Sequence, residues 1–199
     1  MTLPSYIMII ILIPVFYLFF PSTLFIYIAY FYSVIWGLAY YDQQDRVNIF
    51  LASLPVKKQQ IVLARYLFSI ISGAAIGIYC YGIDNIVRLF RDVDAPPLTL
   101  ETLFVTFCIG VILIAFGTPF FFRFSFNAAF GAQIIAGMVL FTILTLIVRY
   151  VMLHEIYWII DAAIFIFEHF TISIGVFALV SIIISYFLSR TLFINRDLA

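Results

Sequence analysis

Residues 102–122 read TLFVTFCIGVILIAFGTPFFF, and no charged residue interrupts them. A run of about 20 apolar residues is long enough to cross the ~30 Å hydrocarbon core of a bilayer as one helix. Glu101 and Arg123 flank the run, one at each end. Working outward, comparable runs occur at roughly 4–20, 23–41, 61–83, 132–153 and 171–189. The chain is therefore expected to be an all-α integral membrane protein, a single transmembrane domain over residues 1–199 with six transmembrane helices. Composition points the same way: 66% of the residues are hydrophobic and 10% charged, against roughly 45–50% and 25% in soluble domains. A soluble domain of this length could not bury such an excess, so lipid must be the solvent for most of the chain. The first run contains Pro14, whose freed carbonyl neighbouring helices can satisfy. No positive n-region precedes it and no small-residue cleavage site follows, so it reads as a retained span.

Several function classes fall away. Net charge is zero and no Lys/Arg-rich run occurs, so nucleic acid is not an expected partner. Cys80 and Cys108 sit in apolar runs without CxxC spacing and read as buried free thiols. No metal site or bound cofactor is expected in this chain. There is no GxxxxGK[ST] and no GxSxG, and His154-Glu155 lacks the second histidine of HExxH. An enzyme is not expected. Ser69, Ser72, Thr106, Thr142, Ser173 and Ser181 lie within spans and read as helix-packing residues. Arg65 and Arg149 lie near span ends and can snorkel, so ion-coupled transport has little support.

Lys/Arg bias sets the expected orientation. Arg46, Lys57, Lys58, Arg65, Arg123, Arg190 and Arg196 fall on one side, and Arg88, Arg91 and Arg149 on the other. The richer side is taken as cytoplasmic, with both termini there, and the polar linker 84–101 is external. Residues 154–170, HEIYWIIDAAIFIFEHF, are too apolar for a loop and too acidic for a clean span. They read as one or two short helices at the outer face, re-entrant or interfacial. His154, Asp161 and Glu168 recur every seven residues and would share one helical face.

Residues 42–67, DQQDRVNIFLASLPVKKQQIVLARYL, carry the functional signal. Val47, Phe50, Leu51 and Leu54 fall at helical spacing, with Arg46, Asn48 and Ser53 off that stripe. Asp45 is a candidate N-cap, and Pro55 ends the helix before Lys57-Lys58. This is a short amphipathic helix followed by a proline corner. Its apolar face suits a groove on a soluble partner or the lipid headgroups, and the pattern alone leaves both open.

The block Arg46-Val47-Asn48, Phe50-Leu51, Ser53-Leu54-Pro55-Val56-Lys57-Lys58, with Ile61-Val62 and Arg65-Tyr66, resembles the stretch between the second and third spans of small ABC-2 type permeases. Pro119-Phe120-Phe121-Phe122-Arg123-Phe124 is similar to that family's turn after the fourth span. Ser189 with Asn195-Arg196-Asp197-Leu198 is similar to its C-terminal end. Within the family, the chain resembles the permeases that export phenol-soluble modulins and similar amphipathic peptides. Family members usually begin with one or two dozen further residues, often a basic amphipathic helix, whereas this chain starts almost inside its first span.

The resemblance implies a permease subunit of an ATP-driven exporter in a bacterial cell membrane. Two copies, or this chain and a sister permease, would pair with two ATP-binding subunits. ATP and Mg would be bound by those partners. Residues 42–60 would form the coupling region, with Arg46, Val47, Asn48, Phe50, Leu51, Leu54, Pro55, Val56, Lys57 and Lys58 meeting the ATPase. The cargo would be amphipathic or hydrophobic: a peptide, toxin or antibiotic. The competing expectation is a stand-alone polytopic membrane protein of structural or regulatory role, without an ATPase partner.

Overall fold

A computed structural model describes residues 27–30, 33, 37, 40, 57–90, 97–154 and 157–194. The described residues form helices and no strand, in agreement with the all-α reading. Five helices have defined bounds: α1 (Lys58–Phe90), α2 (Leu100–Arg123), α3 (Phe126–Leu153), α4 (Tyr157–Glu168) and α5 (Phe170–Ile194). Four stretches are long and apolar enough to cross a membrane: Lys58–Phe90, Leu100–Arg123, Phe126–Val151 and Phe170–Ile194. They coincide with the expected third to sixth spans. The expected first span, 4–20, lies outside the described residues. Of the second, Tyr27, Ile28, Ala29, Tyr30, Ser33, Gly37 and Tyr40 are described, all helical.

α1 differs most from its expected length. Its 33 residues make a helix of about 50 Å at 1.5 Å per residue, well beyond the ~30 Å hydrocarbon core. The helix continues past Ile83, through residues expected to start a polar linker, as far as Phe90. The reason is a buried stripe that does not stop at the end of the apolar run: Ile61, Val62, Tyr66, Ser69, Gly73, Gly77, Cys80, Ile83 and Asp84. These residues recur three and four apart, the spacing of one helical face. Asp84 joins the stripe because its charge is matched. Its Oδ2 accepts from Arg88 Nε at 2.9 Å and from the Leu98 amide at 3.0 Å. The first partner lies one turn on along the same helix; the second ties the returning chain to α1. Leu98 is thereby buried against Cys80 and Ile83.

α2 opens on Thr99, whose hydroxyl accepts from the Thr102 amide at 3.1 Å. Glu101 in the first turn and Arg123 in the last complement the positive and negative ends of the helix dipole. α2 packs extensively along α5, and α1 packs against both. The pair α2 and α5 run in the same direction. Thr171 Oγ1 meets Glu101 Oε1 at 2.6 Å near their starts, and Phe193 lies 5.1 Å from Phe122 near their ends. The main core comprises Tyr27, Ile61, Val62, Tyr66, Ile114, Phe122 and Phe193. Cys80 and Cys108 are buried free thiols.

Close helix approach is made by small residues. Tyr27 Oη donates to the Gly73 carbonyl at 2.8 Å. A Cβ built on Gly77, one turn further, would lie 2.6 Å from the Tyr27 hydroxyl oxygen. The Gly73/Gly77 face thus receives the hydroxyl end of the Tyr27 ring. α3 packs on α2 and exposes Ile135, Met138, Phe141, Leu144 and Tyr150 along its length. α4 buries no residue. Such apolar surface is what a bilayer or a second membrane subunit covers.

Candidate functional site

The expected coupling residues Arg46, Val47, Asn48, Phe50, Leu51, Leu54, Pro55 and Val56 lie outside the described residues; Lys57 and Lys58 are described. Lys57 is exposed at the threshold of α1. Its amide donates to Gln60 Oε1 at 3.3 Å, and the Gln60 amide donates back to the Lys57 carbonyl at 2.8 Å. The glutamine thus returns to an orphan N–H at the helix start, one half of a capping box. Lys58 Nζ reaches the Ile194 carbonyl at 3.2 Å. A cation there is favoured by the negative end of the α5 dipole. Two turns into α1, the Arg65 guanidinium lies 5.1 Å over the Phe122 ring, which in turn packs on Phe193. One end of the bundle thus gathers the start of α1 and the ends of α2 and α5.

Deeper in, the three helices share a buried polar node. Tyr66 Oη of α1 lies 2.6 Å from Ser185 Oγ and 2.8 Å from Ser189 Oγ of α5. Ser185 Oγ donates to the Ala115 carbonyl of α2 at 2.5 Å. Tyr66 and Ser189 are 3% and 0% exposed, so water does not compete for these bonds. A second side chain enters α2 nearby: Gln133 Nε2 of α3 donates to the Gly117 carbonyl at 3.0 Å.

Beside the node runs an apolar groove of about 970 Å³, floored by α2 and walled by α3 and α5. Phe116, Phe120, Val139, Phe177 and Ile184 line it, with Arg123 at the α2 end. It exists because α3 and α5 each pack on α2 but only marginally on one another. Ser185 belongs both to this lining and to the node.

At the opposite end, His154 is the C-cap residue of α3. Its Nδ1 lies 3.0 Å from the Tyr150 carbonyl, and its ring stacks on Tyr150 at 4.1 Å. His169 ends α4 in the same manner, on Phe165. Asp161 and Glu168 lie on α4 and are exposed. The expected common face of His154, Asp161 and Glu168 is therefore corrected. The histidine caps one helix and the two acids ride on the next. A seven-residue period marks a shared face only while the helix is unbroken, and here α3 ends at Leu153 with His154 as its cap, while Asp161 and Glu168 belong to the next helix. Among the described residues no group of His, Cys, Asp or Glu could hold a metal ion.

The profile of the family described as "ABC-2 family transporter protein" matches residues 2–193. The chain belongs to that family. It is accordingly a multi-pass permease component of an ABC transporter, a transport subunit rather than a catalytic one. No curated protein and no solved structure gives a match.

In this ABC-2 permease the node was only partly legible beforehand. Of the in-span polar residues singled out, Thr106 and Thr142 bond the carbonyl one turn back on their own helix, and Ser72 bonds the Ser69 carbonyl. These bonds stay within each residue's own helix, and Thr142 is exposed. Ser185 and Ser189 make the interhelical bonds. An advance signal was their spacing, four residues apart and so on one face of the span.

Proposed function

We propose that this permease is the membrane half of an ATP-driven exporter, assembled from two permease chains and two ATP-binding partners. Residues 46–58, from Arg46 to Lys58, form the coupling helix that seats in the ATPase. ATP and Mg are bound by that partner. The cargo is amphipathic or hydrophobic, with an export-active peptide such as a phenol-soluble modulin as the model substrate. The complex resides in a bacterial cell membrane with both termini of this chain cytoplasmic.

The observation that supports this reading most is the beginning of α1. A helix entered from the Lys57-Lys58 corner is held to the end of α5 by Lys58 and to the interior of α5 by Tyr66. Force applied to residues 46–58 would reach the groove walls through those bonds. The groove itself is apolar with one guanidinium at its end, a lining that suits an amphipathic cargo better than a free ion.

The test is recovery of a soluble ATPase with the chain from mild detergent, repeated with the double variant Phe50→Asp/Leu54→Asp. Stoichiometric recovery, lost in the variant while membrane insertion persists, is the expected result. Normal export by the double variant removes the coupling assignment. Failure to recover any ATPase with folded protein favours a stand-alone membrane protein whose 42–60 helix lies on lipid.

A further inference from the structure

Pro119 lies inside α2. It has no N–H, so the Ala115 carbonyl lacks the amide donor that a helix places four residues on. In hydrocarbon such a carbonyl must find another partner. Ser185 Oγ lies 2.5 Å from it. Because a carbonyl oxygen only accepts, the single proton of Ser185 is used there. The 2.6 Å contact between Ser185 and Tyr66 is then donated by Tyr66. With that phenolic proton used, the 2.8 Å contact between Tyr66 and Ser189 is donated by Ser189. The bonds run one way, Ser189 to Tyr66 to Ser185 to the Ala115 carbonyl, and cross from α5 to α1, back to α5, and into α2. Each polarises the next in a site closed to water.

We infer that Ser185 replaces the amide that Pro119 removes, and that Tyr66, by holding Ser185, places the break in α2 under the control of α1. The last turn of α2 beyond the break carries Phe120 and Arg123, both in the groove lining. When Tyr66 moves away, Ser185 loses its donor and its fixed direction, and that turn is released. Tyr66 is in this sense a positioning residue. The consequence for transport rests on the permease reading; the direction of the hydrogen bonds does not.

A mutant cycle tests it on the full chain in detergent, reading the unfolding midpoint and amide exchange across residues 116–122. Ser185→Ala is expected to lower the midpoint by about 2–4 °C, the scale of one lost interaction in a chain of this size, and to speed exchange in α2. In the Pro119→Ala background the same change should cost less than half as much, because residue 119 then supplies the missing amide. Equal cost in both backgrounds would reduce Ser185 to a packing residue and overturn the inference. If Ser185→Ala does not accumulate, recovery of folded protein in the double variant is the expected rescue, and failure of both overturns it. Tyr66→Phe should speed exchange in the same α2 segment with Pro119 present and leave it unchanged with Ala at that position. A rise in both backgrounds, or in neither, removes the link to α1. Rescue in a chain that captures no ATPase leaves this inference standing and removes only its role in transport.

Discussion

The buried polar junctions at Asp84 and Tyr66 of α1 are built from opposite chemistries. At the far end, the Asp84 carboxylate takes a guanidinium and a backbone amide. Within the span, Tyr66 meets two serine hydroxyls. The difference follows from what each site can offer as a partner. Asp84 lies just past the apolar run, where Arg88, with its side chain 22% exposed, can keep part of its charge in water. A charge in the closed site of Tyr66, where the partners are serine hydroxyls, would need a counter-ion of its own. Neutral hydroxyls cross that region at far lower desolvation cost and still bond in a fixed order. The charged junction ties a loop to a helix; the neutral one ties three helices to each other.

The comparison can be broken most severely at its charged end. Asp84→Ala leaves the Leu98 amide without its acceptor and removes the carboxylate that Arg88 Nε meets, and is expected to destabilise by about 3 kcal/mol. Thermal unfolding in detergent measures it, and Asp84→Asn, which keeps an acceptor for the Leu98 amide, should recover part of the loss. A fully stable Asp84→Ala variant would mean that the carboxylate does not organise the return to α2. Next comes the neutral contact further along the same buried face of α1. Gly77→Val pushes a side chain into the Tyr27 hydroxyl, where a Cβ alone would stand 2.6 Å away. An overpacking cost of about 2 kcal/mol is expected, and Tyr27→Phe should relieve little of it because the ring stays. The smallest effect belongs to Thr99→Ala, which removes the cap of α2 for about 1 kcal/mol, read as faster amide exchange confined to the first turn of that helix.

Much of the fold could be read in one dimension. The charge-free run 102–122 appears as Leu100–Arg123, since its length and the flanking Glu101 and Arg123 mark both ends of a span. The overrun of α1 was hidden because hydropathy counts Asp84 and Arg88 as linker charges. It does not register that residues four apart on a helix neutralise one another. The face assigned to His154, Asp161 and Glu168 failed for a related reason: the period continues through the sequence although the helix does not. Lys57 and Lys58 were named for the coupling region, but nothing in their local pattern points to the Ile194 carbonyl that Lys58 reaches 136 residues away.

What the sequence alone determined was the solvent and the class. Transfer into lipid is a sum over local residues, so an apolar run declares itself wherever its neighbours end up. The block around Arg46–Lys58 carried the family on the same local terms, and the family profile agrees with it. Only the tertiary structure decided that Tyr66 meets serines 119 and 123 residues away, and that Ser185 finds the carbonyl stranded by Pro119. In lipid those meetings are driven by packing and by hydrogen bonds between helices. Their geometry depends on how the helices stand against each other, which no stretch of the chain carries by itself.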